Sequence, residues 1–66
     1  MMKILLEELI QKARKTNHTL RIDTIKEAYL IKPNTNYRFK YGAIIIYDDI
    51  RTTVDIEHII SVKELI

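Results

Sequence analysis

Residues 37–47 read YRFKYGAIIIY and contain two different strand patterns. From Tyr37 to Tyr41 aromatic and basic residues alternate, which is the period of a strand with one buried face. Gly42, the only glycine, then interrupts the pattern, as a β-bulge or a barrel corner does. Residues 43–47 are apolar on both faces and predict the central, most buried strand. This segment therefore predicts a curled antiparallel sheet.

Strand patterns separated by turn signals continue on both sides of this segment. The residues Pro-Asn-Thr-Asn at 33–36 are the strongest turn signal in the chain. The predicted order is a strand at 20–24, a strand at 28–32, the turn at 33–36, a strand at 37–41, the strand at 43–47, a turn at 48–51, a strand at 52–56, a one-turn helix at 57–59 and a last strand at 60–63.

Residues 2–15 predict an amphipathic helix. Apolar residues recur at i, i+3, i+4 and i+7 and form one stripe. They are Met2, Leu5, Leu6, Leu9, Ile10 and Ala13. Lys12, Arg14 and Lys15 lie in the last turn, where cations complement the helix dipole. Asn17 tolerates the left-handed conformation that ends many helices.

Together these patterns predict an α+β fold in one small domain, residues 1–66. The helix at 2–15 is followed by an antiparallel β-sheet over 18–63 with four or five strands. So short a chain buries a core only if its strands curl strongly. We therefore expect a small, bent barrel with the helix capping one open end or lying across one face.

Residues 52–62 read TTVDIEHIISV and resemble the closing strand, one-turn helix and last strand of small SH3-like and Sm-like barrels. The segment is also similar to the carboxy-terminal part of the YolD-like proteins of bacteria and phages. The helix-first order and the overall length are similar to Hfq-like RNA chaperones. The resemblance implies a barrel and a ring or dimer. Sm-like proteins carry a glycine in the second strand, whereas residues 26–32 have none, so no RNA-binding residues are carried over.

The composition excludes several kinds of site and indicates where the protein is located. The 66 residues include no cysteine, which excludes disulfides and thiolate metal sites and fits a reducing compartment. The apolar stretch near the amino-terminus is interrupted by Glu7 and Glu8, so we expect no signal peptide, and no run is long enough to span a membrane. We predict a cytoplasmic protein that does not enter membranes, and the sequence indicates no small-molecule substrate.

The apolar residues suggest association with another surface. The chain holds 13 isoleucines, more than a small core needs, and it has no disulfide to stabilise it. Either the helix covers a two-sided central strand, or part of this surface is an interface with a second copy or a larger protein partner. The candidate interface residues are Ile44, Ile46, Tyr47, Ile50, Ile59 and Ile60.

Nucleic acid is the alternative partner. Residues 1–40 hold nine basic and four acidic residues, a net charge of +5, and the remaining residues carry −3. Single-stranded nucleic acid is bound by aromatic rings that stack on bases and by cations that contact phosphates. The candidate residues are Lys12, Arg14, Lys15, Tyr37, Arg38 and Lys40. On a strand, however, Tyr37 and Arg38 point to opposite faces, which favours core aromatics with solvated charges.

No residues converge on a catalytic or metal site. His18 and His58 are far apart and have no cysteine or histidine beside them. The acidic residues Asp48 and Asp49 fit a tight turn better than a cation site, although an acidic ridge could dock on a basic partner. We therefore expect no cofactor and no enzymatic activity. The small size and the YolD-like resemblance imply a regulatory, phage-type protein that occupies a partner.

Overall fold

The N-terminal helix α1 spans Lys3–Lys15 in the computed structural model, which describes residues 1–66. Leu6, Ile10 and Ala13 are buried on its inner side. The predicted helix is therefore confirmed to within one residue. Met2 and Leu5, which the spacing assigned to the apolar stripe, are exposed. Met2 precedes the first residue of α1, and Leu5 lies about 100° around the helix axis from the buried Leu6.

The end of α1 is formed by backbone hydrogen bonds and one left-handed residue. Asn17 has a φ of 59°, as the prediction required. The amide of Asn17 donates to the carbonyl of Arg14, and the amide of His18 donates to the carbonyl of Ala13 at 2.8 Å. This is a Schellman arrangement, which satisfies carbonyls that would otherwise lack partners.

Six strands follow and form two antiparallel sheets. The strands are β1 (Thr19–Thr24), β2 (Ala28–Ile31), β3 (Asn36–Lys40), β4 (Ala43–Tyr47), β5 (Arg51–Asp55) and β6 (Ile59–Leu65). The first sheet has the order β2-β1-β6, and the second sheet has the order β3-β4-β5. The fold class is therefore α+β, as predicted.

The arrangement of the strands differs from the predicted single sheet of four or five strands. All six segments with a strand pattern form strands, so the predicted number of four or five was too low. The six strands form two sheets, which do not close into a barrel. The chain passes from the first sheet to the second at residues 32–35, between β2 and β3. There the Thr35 amide donates to the Lys32 carbonyl, and the Lys32 amide donates to Thr35 Oγ1. Because these groups bond within the turn, they do not extend a strand ladder from β2 into β3.

Gly42 is a hairpin residue, so the predicted bulge or barrel corner was wrong. Lys40 pairs with Ala43, which leaves a two-residue turn of Tyr41 and Gly42. Both have positive φ, 49° and 73° respectively. Positive φ at both turn positions matches the right-handed twist of a hairpin. The usual sequence for this turn is Asn-Gly or Asp-Gly, so Tyr-Gly gave no hairpin signal.

The core lies between the two sheets and the helix. It consists of 11 buried residues, namely Leu6, Ile10, Ala13, Leu20, Ile22, Ile31, Ile44, Ile46, Val54, Ile56 and Ile59. The predicted central strand is confirmed, because β4 lies in the middle of its sheet with Ile44, Ile45 and Ile46 buried. The one-turn helix predicted at 57–59 is also found, one residue earlier, at Ile56–His58 between β5 and β6.

Candidate interaction surfaces

The contact between α1 and β3 uses two of the residues that the sequence suggested for nucleic acid. The Arg14 guanidinium lies over the ring of Tyr37, 4.7 Å from its centre, and donates a hydrogen bond to the carbonyl of Thr35. Gln11 Nε2 donates to the Tyr37 hydroxyl at 2.6 Å. Tyr37 also packs edge-to-face on Phe39, with ring centres 5.7 Å apart. Arg14 and Tyr37 therefore hold the helix against the sheet.

The other four members of that set lie in two places. Lys12 and Lys15 are exposed on α1, whereas Arg38 and Lys40 are exposed on β3 on the side away from the half-buried Tyr37 and Phe39. The strand alternation thus separates the rings from the cations of β3, as the sequence indicated.

The outward side of the second sheet carries three cations and one tyrosine. We call this surface the outer face; it consists of Asn36, Arg38, Lys40, Ala43, Ile45, Tyr47, Arg51, Thr53 and Asp55. The pairing aligns Asn36 with Tyr47 and Arg51, and Arg38 with Ile45 and Thr53. The Arg51 guanidinium lies 6.0 Å from the centre of the Tyr47 ring.

Tyr41 lies at the edge of the outer face. It is 96% exposed, and the Lys40 ammonium is 5.6 Å from the centre of its ring. Sequence reasoning placed Tyr41 with Tyr37 and Phe39 on the aromatic side of a strand. The turn at residues 41–42 removes it from that strand, so its ring lies beside a cation instead. The glycine that directly follows Tyr41 was the only feature of the sequence that could have indicated a turn at this position.

The six candidate interface residues divide into two groups. Ile44, Ile46 and Ile59 belong to the core of a single copy. Tyr47, Ile50 and Ile60 are exposed, Tyr47 on the outer face, Ile50 in the turn between β4 and β5, and Ile60 at the start of β6.

The edge of β6 is the longest unpaired strand edge. β6 has seven residues and pairs only with β1. Two of its apolar residues, Ile60 and Leu65, are exposed, and Ile66 follows them at the carboxy-terminus. β5 also lies at the edge of its sheet, next to Ile50. Unpaired backbone N–H and C=O groups beside apolar side chains are typical of pairing surfaces.

A groove of about 370 Å³ opens between β2 and the turn that joins β4 to β5. Tyr29 and Leu30 line one side, and Asp48, Asp49 and Ile50 line the other. The two aspartates therefore lie at the rim of an apolar groove.

Two polar networks connect distant parts of the chain. His18 Nδ1 hydrogen bonds to the Glu64 carboxylate, to which Thr16 Oγ1 also donates at 3.0 Å. These bonds lower the pKa of Glu64 below its ordinary value of 4.5, with His18 as the main cause. On the first sheet the Ser61 hydroxyl donates to Asp23 at 3.0 Å and is the main cause of a lowered Asp23 pKa.

The remaining titratable residues include no candidate metal site. No group of three or more His, Cys, Asp or Glu residues is arranged to hold a metal ion. Asp55 accepts a hydrogen bond from the Glu57 amide and caps the short helix, and His58 Nε2 lies 4.0 Å from Asp55. No helix has the length and apolar character needed to cross a membrane.

The fold and its surfaces define a small α+β protein with exposed edge strands and a cationic, tyrosine-bearing sheet face. Comparison with known proteins finds no matching family model, no similar curated protein and no similar solved structure.

Proposed function

We propose that this chain is a non-enzymatic binding module that associates with itself. The observation that carries the proposal is the distribution of apolar residues in a single copy. Twelve hydrophobic residues are buried, and twelve large hydrophobic side chains are exposed. A small domain gains little stability from so limited a core, and contact with another surface supplies more.

The edge of β6 is the proposed contact. A second copy that pairs with this edge satisfies its free backbone groups and covers Ile60 and Leu65. The free edge of β5, flanked by Ile50, is a second and different edge in the same molecule. Pairing of β6 with β5 of the next copy is head-to-tail and builds a ring, whereas pairing of β6 with β6 gives a symmetric dimer.

We interpret the architecture as an open, small barrel of the SH3-like or Sm-like kind. The interpretation is supported by the pairing of the first strand with the last and by the one-turn helix between β5 and β6. Our proposal of a cytoplasmic, regulatory protein of phage type that occupies a larger protein partner rests on the sequence resemblance and the lack of cysteine.

The test is the molar mass in solution. Light scattering on a sizing column, from micromolar to millimolar concentration, should give a mass that is a multiple of the 7.9 kDa chain. Ile60→Lys places a charge on the β6 edge and should shift the mass toward a single copy. Because Ile60 is 67% exposed, the substitution leaves the core of each copy intact.

Ile4→Lys is the matched control. Ile4 is 64% exposed but belongs to α1 and not to β6. It should leave the mass unchanged. A mass of one chain at every concentration contradicts the proposal, and so does an equal effect of the two substitutions.

A further inference from the structure

We infer that the outer face, with Tyr41 at its edge, is a binding site for single-stranded nucleic acid. The inference does not rest on self-association, because copies are proposed to pair through backbone groups at strand edges, whereas the outer face is formed by side chains that stand out from the sheet. The residues of the outer face also differ from the nucleic-acid residues suggested by the sequence, because Arg14 and Tyr37 hold α1 against the sheet.

Charge is the first argument. Arg38, Lys40 and Arg51 are exposed on the outer face, and Asp55 at one corner is its only carboxylate. Lys40 and Arg38 follow β3, and Arg51 lies across β4 from Asn36. Lys40 and Arg51 therefore lie at diagonally opposite corners of the face, with Arg38 beside Lys40 on β3 and Asp55 at a third corner. A chain of phosphates that crosses the face from Lys40 to Arg51 meets all three cations.

Aromatic rings are the second argument. Tyr41 and Tyr47 lie at the two ends of β4, which are about 14 Å apart for a strand of this length. Each ring has a cation close to it, Lys40 at 5.6 Å and Arg51 at 6.0 Å. Rings that stack on bases, with cations that contact phosphates, are what binding of single strands without sequence preference requires.

Backbone strain at Tyr41 is the third argument. Its φ of 49° is uncommon for a bulky residue, and asparagine or glycine is favoured at this hairpin position. The ring is 96% exposed, so it contributes little to the core. A strained residue that the fold does not need is evidence of a role outside the fold.

The distinguishing variant is Tyr41→Asn. Asparagine suits the turn, so the thermal unfolding midpoint should rise, while loss of stacking should weaken binding to oligothymidylate about tenfold. Tyr41→Phe keeps the ring and should keep the affinity. Fluorescence anisotropy with a labelled oligothymidylate measures binding, and circular dichroism measures unfolding. Unchanged affinity in Tyr41→Asn overturns the inference.

The salt dependence of binding and substitutions of charged residues test whether the cations of the outer face contact phosphates. Three phosphate contacts predict that the logarithm of the association constant falls with the logarithm of salt concentration with a slope of about −2. Replacing Arg38 and Lys40 together by glutamine should reduce this slope and the affinity. Replacing Lys12 and Lys15 together removes the same charge from α1 and should change binding less. If the α1 pair matters as much, the site is not the outer face.

Two competitors define the ligand class. A duplex offers phosphates without free bases, and poly-glutamate offers negative charge without bases. Both should compete weakly, and equally strong binding of either overturns the assignment to single-stranded nucleic acid. Absence of binding to the oligothymidylate at low salt also overturns it. Ile60→Lys should bind as the natural chain does, so failure of self-association and failure of this inference are distinguishable.

Discussion

Glu64 is the residue that connects the end of α1 to the last strand. Its carboxylate accepts hydrogen bonds from His18 and Thr16, which lie just after the helix. These partners favour the charged form, so the pKa of Glu64 is lower in the folded chain than the ordinary value of 4.5. Asp23 has a pKa lowered in the same direction through Ser61.

A lowered carboxylate pKa predicts loss of stability in acid. The stabilising contribution of Glu64 is complete above pH 4.5 and is lost as the pH falls through its lower pKa in the folded state. We expect the thermal unfolding midpoint to fall as the pH drops below that value. Glu64→Gln should lower the midpoint at pH 7 and flatten the acid dependence, as measured by circular dichroism.

Glu7→Gln is the control for this prediction. Glu7 is exposed on the outer side of α1. This variant should follow the acid dependence of the natural chain. If Glu64→Gln shows the same acid dependence as the natural chain, the network of Glu64, His18 and Thr16 does not stabilise the fold in the manner described.

At the scale of elements, α1 has two sides that differ sharply in burial. Ile10 is fully buried against the sheets, whereas Ile4 on the same helix is 64% exposed. The helix is further held by Arg14, which stacks on Tyr37, and by Gln11. Packing of the inner side, more than intrinsic helix preference, therefore keeps a helix of 13 residues formed.

The two isoleucines of α1 provide a matched pair of substitutions. Ile10→Ala leaves a cavity in the core and should lower the free energy of unfolding by about 2–5 kcal/mol. Ile4→Ala removes the same atoms from an exposed position and should change it by less than about 0.5 kcal/mol. Urea unfolding followed by circular dichroism measures both. Equal losses would mean that α1 does not pack as described.

At the scale of the whole molecule, the core is small for the surface that surrounds it. Only 13 of 66 residues are buried, and one of them, Thr35, is polar. The two sheets present four edge strands, of which β6 is the longest. Stability and assembly are therefore expected to be linked, because association of folded copies favours the folded state.

This linkage predicts that the thermal unfolding midpoint rises with protein concentration. Ile60→Lys should remove most of the dependence, because it prevents association of folded copies, while Ile4→Lys should retain it. Differential scanning calorimetry at several concentrations measures the midpoint. A midpoint that does not depend on concentration would show that each copy is stabilised by its own core alone.

Sequence reasoning succeeded where local patterns carry the information. The spacing in α1, the left-handed Asn17 and the buried β4 follow from periodicity and from conformational preferences of single residues. The hairpin at Tyr41 and Gly42 was missed, because Tyr is disfavoured at that turn position and the pattern looked like a continuing strand. The candidate nucleic-acid residues were chosen by type, and type does not reveal that Arg14 and Tyr37 contact each other.

By itself the sequence determined the α+β class, the helix, the order of the strands and the short helix before β6, since each depends on neighbouring residues. Only the tertiary structure decided that two sheets form, that Ile59 is covered while Ile50 and Ile60 are not, and that Tyr41 and Tyr47 join three cations on one face. The physical reason is that pairing between strands and packing against the helix bring together residues distant in the chain, and local periodicity does not specify which partner each strand takes.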